Sequence, residues 1–540
     1  MQQYRDRAVC GTHTKVYRVF EDLNLDGMAY AGGAGLDTTK KCMDGTRGEI
    51  LQEIVDWIHD PDVNAPRILW LHGQAGKGKS AIAHTIALWL KNVGGLGSCF
   101  CFARGRQAER HEEKMFTTIA RDLADRNPAF RRALASVFTN NRSLMATPDI
   151  IQQWENLLLV PLSQVLTGVM GRIVVVIDAL DESGPESSRS HILSVLGSPR
   201  ATKLPSNFRL LMTSRTLLDI QGVLGSTPHV KAVCLDDVPV PFTERDIRLF
   251  ISVQLKDLVD IGEREISQIA QKADGLFEWA RLACECIRMD TTGGLVKERF
   301  SNLIAPAPRE QKSLLDNMYH TILESAVSKR STALVRFCSV MRQVLHTLEP
   351  LPIDGLNAMC RHFSHEHSNF NVVIVLHFLA PLLSGVTDHT SAVRPLHASL
   401  YDFLTDQSRS GDYFVGKSDI QADLTVASLR VLHGGLCFNI CGLQSSYLLN
   451  SEVHDLAEKV KAKIPSQLSY SCQFWAKHLQ VTGFDPVLAE HVKDILGNEK
   501  ILFWFEVLSL LHELANAATA LSSVGRWFQV SKSVKWWIPL

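Results

Sequence analysis

Apolar residues along this chain follow two regimes. Over the first half, short continuous apolar runs alternate with stretches whose apolar positions recur every three or four residues. Ile68 to Leu71, Ser98 to Ala103, Ile173 to Ile177, Phe208 to Thr213 and Val230 to Leu235 read as strands. The β-branched run Ile173 to Ile177 suits a strand buried on both faces of a parallel sheet. Helical spacing marks Cys42 to Asp60, with Ile50, Ile54, Trp57 and Ile58 on one face, and also Ser80 to Leu90, Lys114 to Asn127 and Ile150 to Leu166. Strands and helices in alternation predict a doubly wound parallel sheet, with ligands at the carboxyl ends of its strands.

Beyond Asp237 the strand pattern fades. Thr243 to Asp257, Ile266 to Ala273, Leu276 to Ile287 and segments between Gln311 and Thr347 read as helices. Residues 351–405 mix short helices with β-like runs, which suits a small winged-helix-like module. Residues 420–521 are helical again, with Trp475, Trp504 and Phe505 as apolar anchors. A chain of 540 residues exceeds one core. The expected division is a linker or remnant of an upstream module (1–36), an α/β domain (37–237), a helical domain (238–347), a winged-helix-like domain (348–410) and a C-terminal helical domain (411–540).

Composition narrows the class. The 56 Lys and Arg nearly cancel the 57 Asp and Glu, so no global basic field points to nucleic acid. The N-terminus carries no secretory pattern, and the apolar run from Ile501 to Leu521 is broken by Glu506, His512 and Glu513, so no membrane span is expected. Twelve cysteines without a C-x-x-C pair read as reduced, mostly buried thiols of a cytoplasmic protein.

The chemistry concentrates at Arg67 to Ser80, RILWLHGQAGKGKS, a full G-x-x-x-x-G-K-[ST] pattern after a strand and before a helix. Gly73, Gly76 and Gly78 permit a tight turn whose N–H groups, with that of Lys77, face phosphate oxygens. Lys79 would reach the β/γ-phosphates and the Ser80 hydroxyl would hold Mg²⁺, beside the positive end of the new helix. Asp178, ending the Ile173 strand, has the position of a metal-coordinating carboxylate. Asp181 and Glu182 follow on a loop facing the γ-phosphate, where one could orient or deprotonate water. Arg215 ends the next strand at the same sheet edge and could sense the γ-phosphate. The fold class expected is therefore an α/β P-loop NTPase followed by all-α helical and winged-helix-like modules.

GQAGKGKS, VVVIDALDE and LLMTSR, in this order, resemble the NACHT nucleotide-binding domain of STAND ATPases. CMDGTRGEILQEIVDWI and LHASLYDFL are similar to fungal NACHT proteins of the NLR-like, heterokaryon-incompatibility type. The resemblance implies a switch: closed with ADP, exchanged and self-associated when triggered, in fungal non-self recognition or programmed cell death, with unidentified protein trigger and effector. It implies Mg²⁺ with ATP or ADP as ligand, and slow hydrolysis. It makes Asp178 the Walker B acid, Arg215 a sensor, and His397 a contact to the β-phosphate of ADP. Gly275-Leu276-Phe277 stands where relatives have G-x-P, so Phe277 replaces a proline that packs on adenine.

Rival readings meet specific gaps. No second phosphate loop, complete ABC-type signature or basic stripe supports the rival reading, a motor or processing ATPase acting on nucleic acid or protein. No N-K-x-D motif follows Asp178, which weakens a GTPase-like reading and leaves GTP open beside ATP. A scaffold that binds nucleotide without turnover remains an alternative. Cys360 to His367 packs one Cys and three His into eight residues, but its spacing matches no common zinc site, so a metal-free polar segment is expected.

Overall fold

The computed structural model describes residues 25, 27–106, 110–165, 171–288, 295–305, 313–327, 331–363, 370–416, 420–445 and 447–530. They form two compact units, one comprising residues 1–284 with 296–304, the other residues 285–295 with 305–540.

In the first unit, α1 (Gly48–His59) precedes β1 (Ile68–His72) and α2 (Lys79–Val93), and β2 (Leu96–Cys101) follows. Next come α3 (Met115–Arg126), α4 (Pro128–Asn140) and a continuous helix over residues 150–165 (α5) whose middle, Gln153–Leu159, is π-helical. β3 (Ile173–Asp178), α6 (Glu186–Leu196), β4 (Phe208–Ser214), α7 (Leu218–Leu224) and β5 (Val230–Cys234) complete the α/β part. The strands form one parallel five-stranded sheet, ordered β2-β3-β4-β1-β5. The expected doubly wound fold is present.

Strand alternation builds two cores. Ile68, Trp70, Val175, Ile177, Leu210 and Met212 point to the face packed with α3, α4, α5 and α6. Leu69, Leu71, Val174, Val176 and Leu211 point to the other, where α1 supplies Ile50, Ile54, Trp57 and Ile58 and α2 supplies Ile82, Ile86 and Leu90. Full burial of each such side chain is worth about 1.5–3 kcal/mol, so the sheet is a rigid mount for whatever its strand ends carry.

The opening segment differs from a loose linker. Ala31 and Ala34 are buried, and Ala34 accepts a hydrogen bond from the Cys101 amide (2.7 Å), laying this stretch along the free edge of β2. Arg110 fastens it by donating to the carbonyls of Gly33 and Cys101.

After β5 come the helices α8 (Val240–Gln254), α9 (Glu263–Ala273), α10 (Phe277–Arg288), whose residues from 285 on are grouped with the second unit, and α11 (Val296–Ile304). The second unit continues with α12 (Leu314–Ala326), α13 (Ser331–His346) and α14 (Ile353–Cys360). A two-residue antiparallel pair, Leu383–Ser384 with Arg394–Pro395, precedes α15 (Ala398–Leu404). Asp316 binds Arg409 through both oxygens (2.6 and 3.1 Å), closing this part. The rest is a helical bundle in which Trp475 and Trp504 meet edge to face at 5.8 Å. Phe505, expected as an anchor, is only half-buried. No helix among the described residues is long and apolar enough to cross a membrane.

Candidate functional site

The loop between β1 and α2 takes its shape from glycine. Gly73, Gly76 and Gly78 have φ of 145°, 85° and 89°, the left-handed region that L side chains avoid. A Cβ on Gly73 would also lie 3.2 Å from that of Leu235. Gly78 caps α2, whose first turn leaves N–H groups without intrahelical partners and adds a partial positive charge. Lys79 Nζ donates to the carbonyls of Gly73 and Gln74, both at 2.7 Å, and so ties the loop to its own helix. Burial pushes its pKa down to about 8, opposed by the Asp181 carboxylate.

Across the sheet, Asp178 ends β3 and is buried. Its Oδ1 accepts from Thr213 Oγ1 at 2.5 Å, and its Oδ2 lies 3.7 Å from His84 Nε2. Ala179 is left-handed (φ 58°), turning the chain sharply into Leu180–Glu182 and carrying the next two carboxylates round the strand end. Asp181 accepts from the backbone amide (3.0 Å) and Nε (2.6 Å) of Arg215. Burial raises the Asp181 pKa, but this pairing outweighs it and holds the carboxyl below its ordinary value. Glu182 accepts from the Arg104 amide at 3.2 Å. Its burial, reinforced by the neighbouring Asp181 charge, pushes it up to about 7. Two adjacent acids thus differ: one held as an anion, the other poised to exchange a proton near neutrality.

The expected residues of the loop, Asp178, Asp181, Glu182 and Arg215 therefore converge on the carboxyl edge of β1, β3 and β4. Charges on Asp181, Arg215, Asp178 and Asp236 all act on Lys79. The donor set fits a nucleoside phosphate with a divalent cation: a cationic, glycine-lined turn beside the hard oxygens of Ser80 and Asp178.

Other residues join the site without a motif. Asp236, just past β5, accepts from the Gln74 amide (3.1 Å) and stands 3.7 Å from Lys77 Nζ. Arg47, left-handed at φ 61°, donates from its amide to Asp246 (2.8 Å) and from Nη2 to the Lys77 carbonyl (2.6 Å). Its guanidinium sits 4.6 Å over the Phe277 ring, and the Glu278 amide donates to Gly76 O (3.1 Å). The helical segment is thereby bonded to the phosphate-loop backbone. None of these residues has a fixed spacing from its partner, but the positive-φ need at Gly275 and the arginine within CMDGTRGEI were available signals.

His397 belongs to the second unit. It is half-buried and caps α15: its Nδ1 accepts from the Ser399 amide (3.2 Å) and lies 2.6 Å from Ser399 Oγ, which Tyr319 also engages. Leu396 precedes that helix and is 45% exposed. Cys360 is buried, while His365, Glu366 and His367 lie outside the described residues.

Residues 45–215 match the family model described as nephrocystin 3, N-terminal. The vegetative incompatibility protein HET-E-1 of Podospora anserina is 22% identical over 536 residues, covering 89% of this chain and 36% of that protein. The chain therefore spans about a third of the length of this curated relative. Among solved structures, a STAND protein with a tetratricopeptide repeat sensor from Pyrococcus horikoshii aligns over 92% of this chain and 66% of its own, at 12% identity and a TM-score of 0.38. A Walker-type ATPase of Pyrococcus abyssi aligns over 66% of this chain and 94% of its own, at 15% identity and a TM-score of 0.31. The family match and the fungal relative support the resemblance to NACHT-type STAND NTPases drawn from the motifs.

Proposed function

We propose that this chain, similar to NACHT-type STAND NTPases, is a signalling switch that binds ATP or ADP with Mg²⁺ and hydrolyses the triphosphate slowly. GTP is the other nucleotide its site would admit. Bound nucleotide would set its conformation and self-association, in the cytoplasm, under an unidentified protein trigger. The role suggested by the name of the fungal relative, vegetative incompatibility, is the biological setting we infer.

The observation that carries this reading is the convergence of the glycine-shaped loop with Asp178, Asp181 and Glu182 at one sheet edge. Lys79 and the loop amides would bind the β/γ-phosphates. Ser80 and Asp178 would hold the metal, which would neutralise phosphate charge there. Glu182 would accept the proton of the attacking water, since Asp181 is engaged by Arg215. The Arg215 guanidinium, fixed by Asp181, would then serve as a stationary charge rather than a mobile one.

The test starts from the protein as purified, by identifying nucleotide released on denaturation. Tightly held ADP is expected. Lys79→Ala should lower nucleotide affinity at least tenfold, on the order of 1.4 kcal/mol, in calorimetric titration. Equal affinity in both proteins would remove the phosphate-loop assignment.

A further inference from the structure

On the far side of Asp178 from Thr213 lies a cluster that nucleotide chemistry does not use. Cys99 and Cys101, two apart on β2, present both thiols to the sheet face that α2 covers. His84, on α2 one turn beyond Ser80, reaches the same spot, and all three side chains are at least nine-tenths buried. Cys99 Sγ and Cys101 Sγ are 3.8 Å apart, and Cys101 Sγ is 3.6 Å from His84 Nε2. The three donor atoms lie within 4.8 Å of one another.

We propose that His84, Cys99 and Cys101 form a site for a thiophilic divalent cation of the zinc class, with Asp178 as its fourth donor. Bond lengths of about 2.3 Å to sulfur and about 2.0 Å to nitrogen give a tetrahedral site a sulfur–sulfur edge of about 3.8 Å and a sulfur–nitrogen edge of about 3.5 Å. Two edges of this cluster already have those lengths. Asp178 Oδ2 lies 3.7 Å from the same nitrogen but outside the 4.8 Å spread of the three donors, so it reaches the last corner only by swinging toward the thiols. Soft sulfur donors separate this site from the hard-oxygen site at Ser80.

Loading has a defined proton balance. His84 Nδ1 accepts from the Asp37 amide (3.1 Å), so the neutral ring carries its proton on Nε2. Metal binding at Nε2 displaces that proton to Nδ1, and each thiol releases one, so one cation enters for two protons lost. Nδ1 can then no longer accept from Asp37, and Asp178 is drawn from the nucleotide's metal. The thiophilic cation is therefore an inhibitor of metal–nucleotide binding, and it loosens the opening segment at Asp37.

The experiment uses the untagged full chain, reduced and stripped with chelator. One equivalent of Cd²⁺ is added, and unbound ion is removed by gel filtration. About one cadmium per chain and a thiolate-to-cadmium absorption band are expected. Both should fall below a tenth in Cys99→Ala/Cys101→Ala and persist in Cys437→Ala, whose thiol is exposed. His84→Gln, which leaves the strand untouched, should weaken cadmium binding at least tenfold. An unloaded parent chain, or a cysteine-pair variant that keeps its ion, overturns the site. Loaded protein should bind Mg²⁺–ADP at least tenfold more weakly, and unchanged affinity at full loading removes Asp178 from the ligand set.

Discussion

Asp181 and Glu182 are chain neighbours whose surroundings move their carboxyls in opposite directions. Arg215 holds Asp181 as an anion, and that anion helps raise Glu182. If ionised Glu182 takes the proton from water, turnover should rise with pH through about 7 and fall tenfold per unit well below it. Glu182→Gln should bind triphosphate and show a low, flat single-turnover profile. Asp181→Asn removes one cause of the Glu182 shift, so its midpoint should move to lower pH. A midpoint that stays in place would separate the two residues. The phosphate loop, Asp178 and the acidic pair were legible because each belongs to a short local pattern. Asp236, His84 and Arg47 were not, since their partners are Gln74, Asp178 and Lys77, set by the sheet rather than by spacing.

At the scale of elements, apolar runs located every strand of the large sheet. β1 to β4 are buried on both faces and show no polar alternation, while β5, a partly exposed edge strand, is marked by Val230, Val233 and Leu235. β2 was expected from Ser98 and begins at Leu96, since Gly97 discouraged extension. A Cβ on Gly97 would meet Ile173 and Leu123 at 2.7 and 2.9 Å, so close packing explains that glycine. Helix α4 went unmarked although Asn127 caps it and Pro128 opens it, and α6 because its first turn is mostly serine. Gly275 precedes α10 at φ +76°, where an added Cβ would stand 3.0 Å from Lys77 Nζ. Gly275→Ala should therefore cost about 1–2 kcal/mol. Chemical denaturation should show an earlier midpoint, and an unshifted curve would mean the turn relaxes freely.

The whole molecule divides where contacts thin, and residues 240–284 fall with the five-stranded sheet. Periodicity showed that they are helical. It could not show that they fasten to the phosphate loop, because Arg47 and Glu278 make that join across long sequence separations. The ADP contact that the family resemblance implies for His397 belongs at this scale. Its capping bond means that His397→Leu would mix two effects, at a cost of about 1 kcal/mol for the lost cap. His397→Asn keeps a capping oxygen while shortening the side chain. It should melt like the parent, release ADP faster and show a larger self-associated fraction by light scattering. Normal ADP retention would clear His397 of any part in holding the nucleotide. The segment at 27–36 carries a practical consequence for handling the protein. It covers the outer edge of β2, whose unpaired amides and carbonyls would otherwise template intermolecular strand pairing. A preparation begun at residue 37, where motif-based trimming would cut, should precipitate or form oligomers unrelated to nucleotide, and could be mistaken for an activated switch.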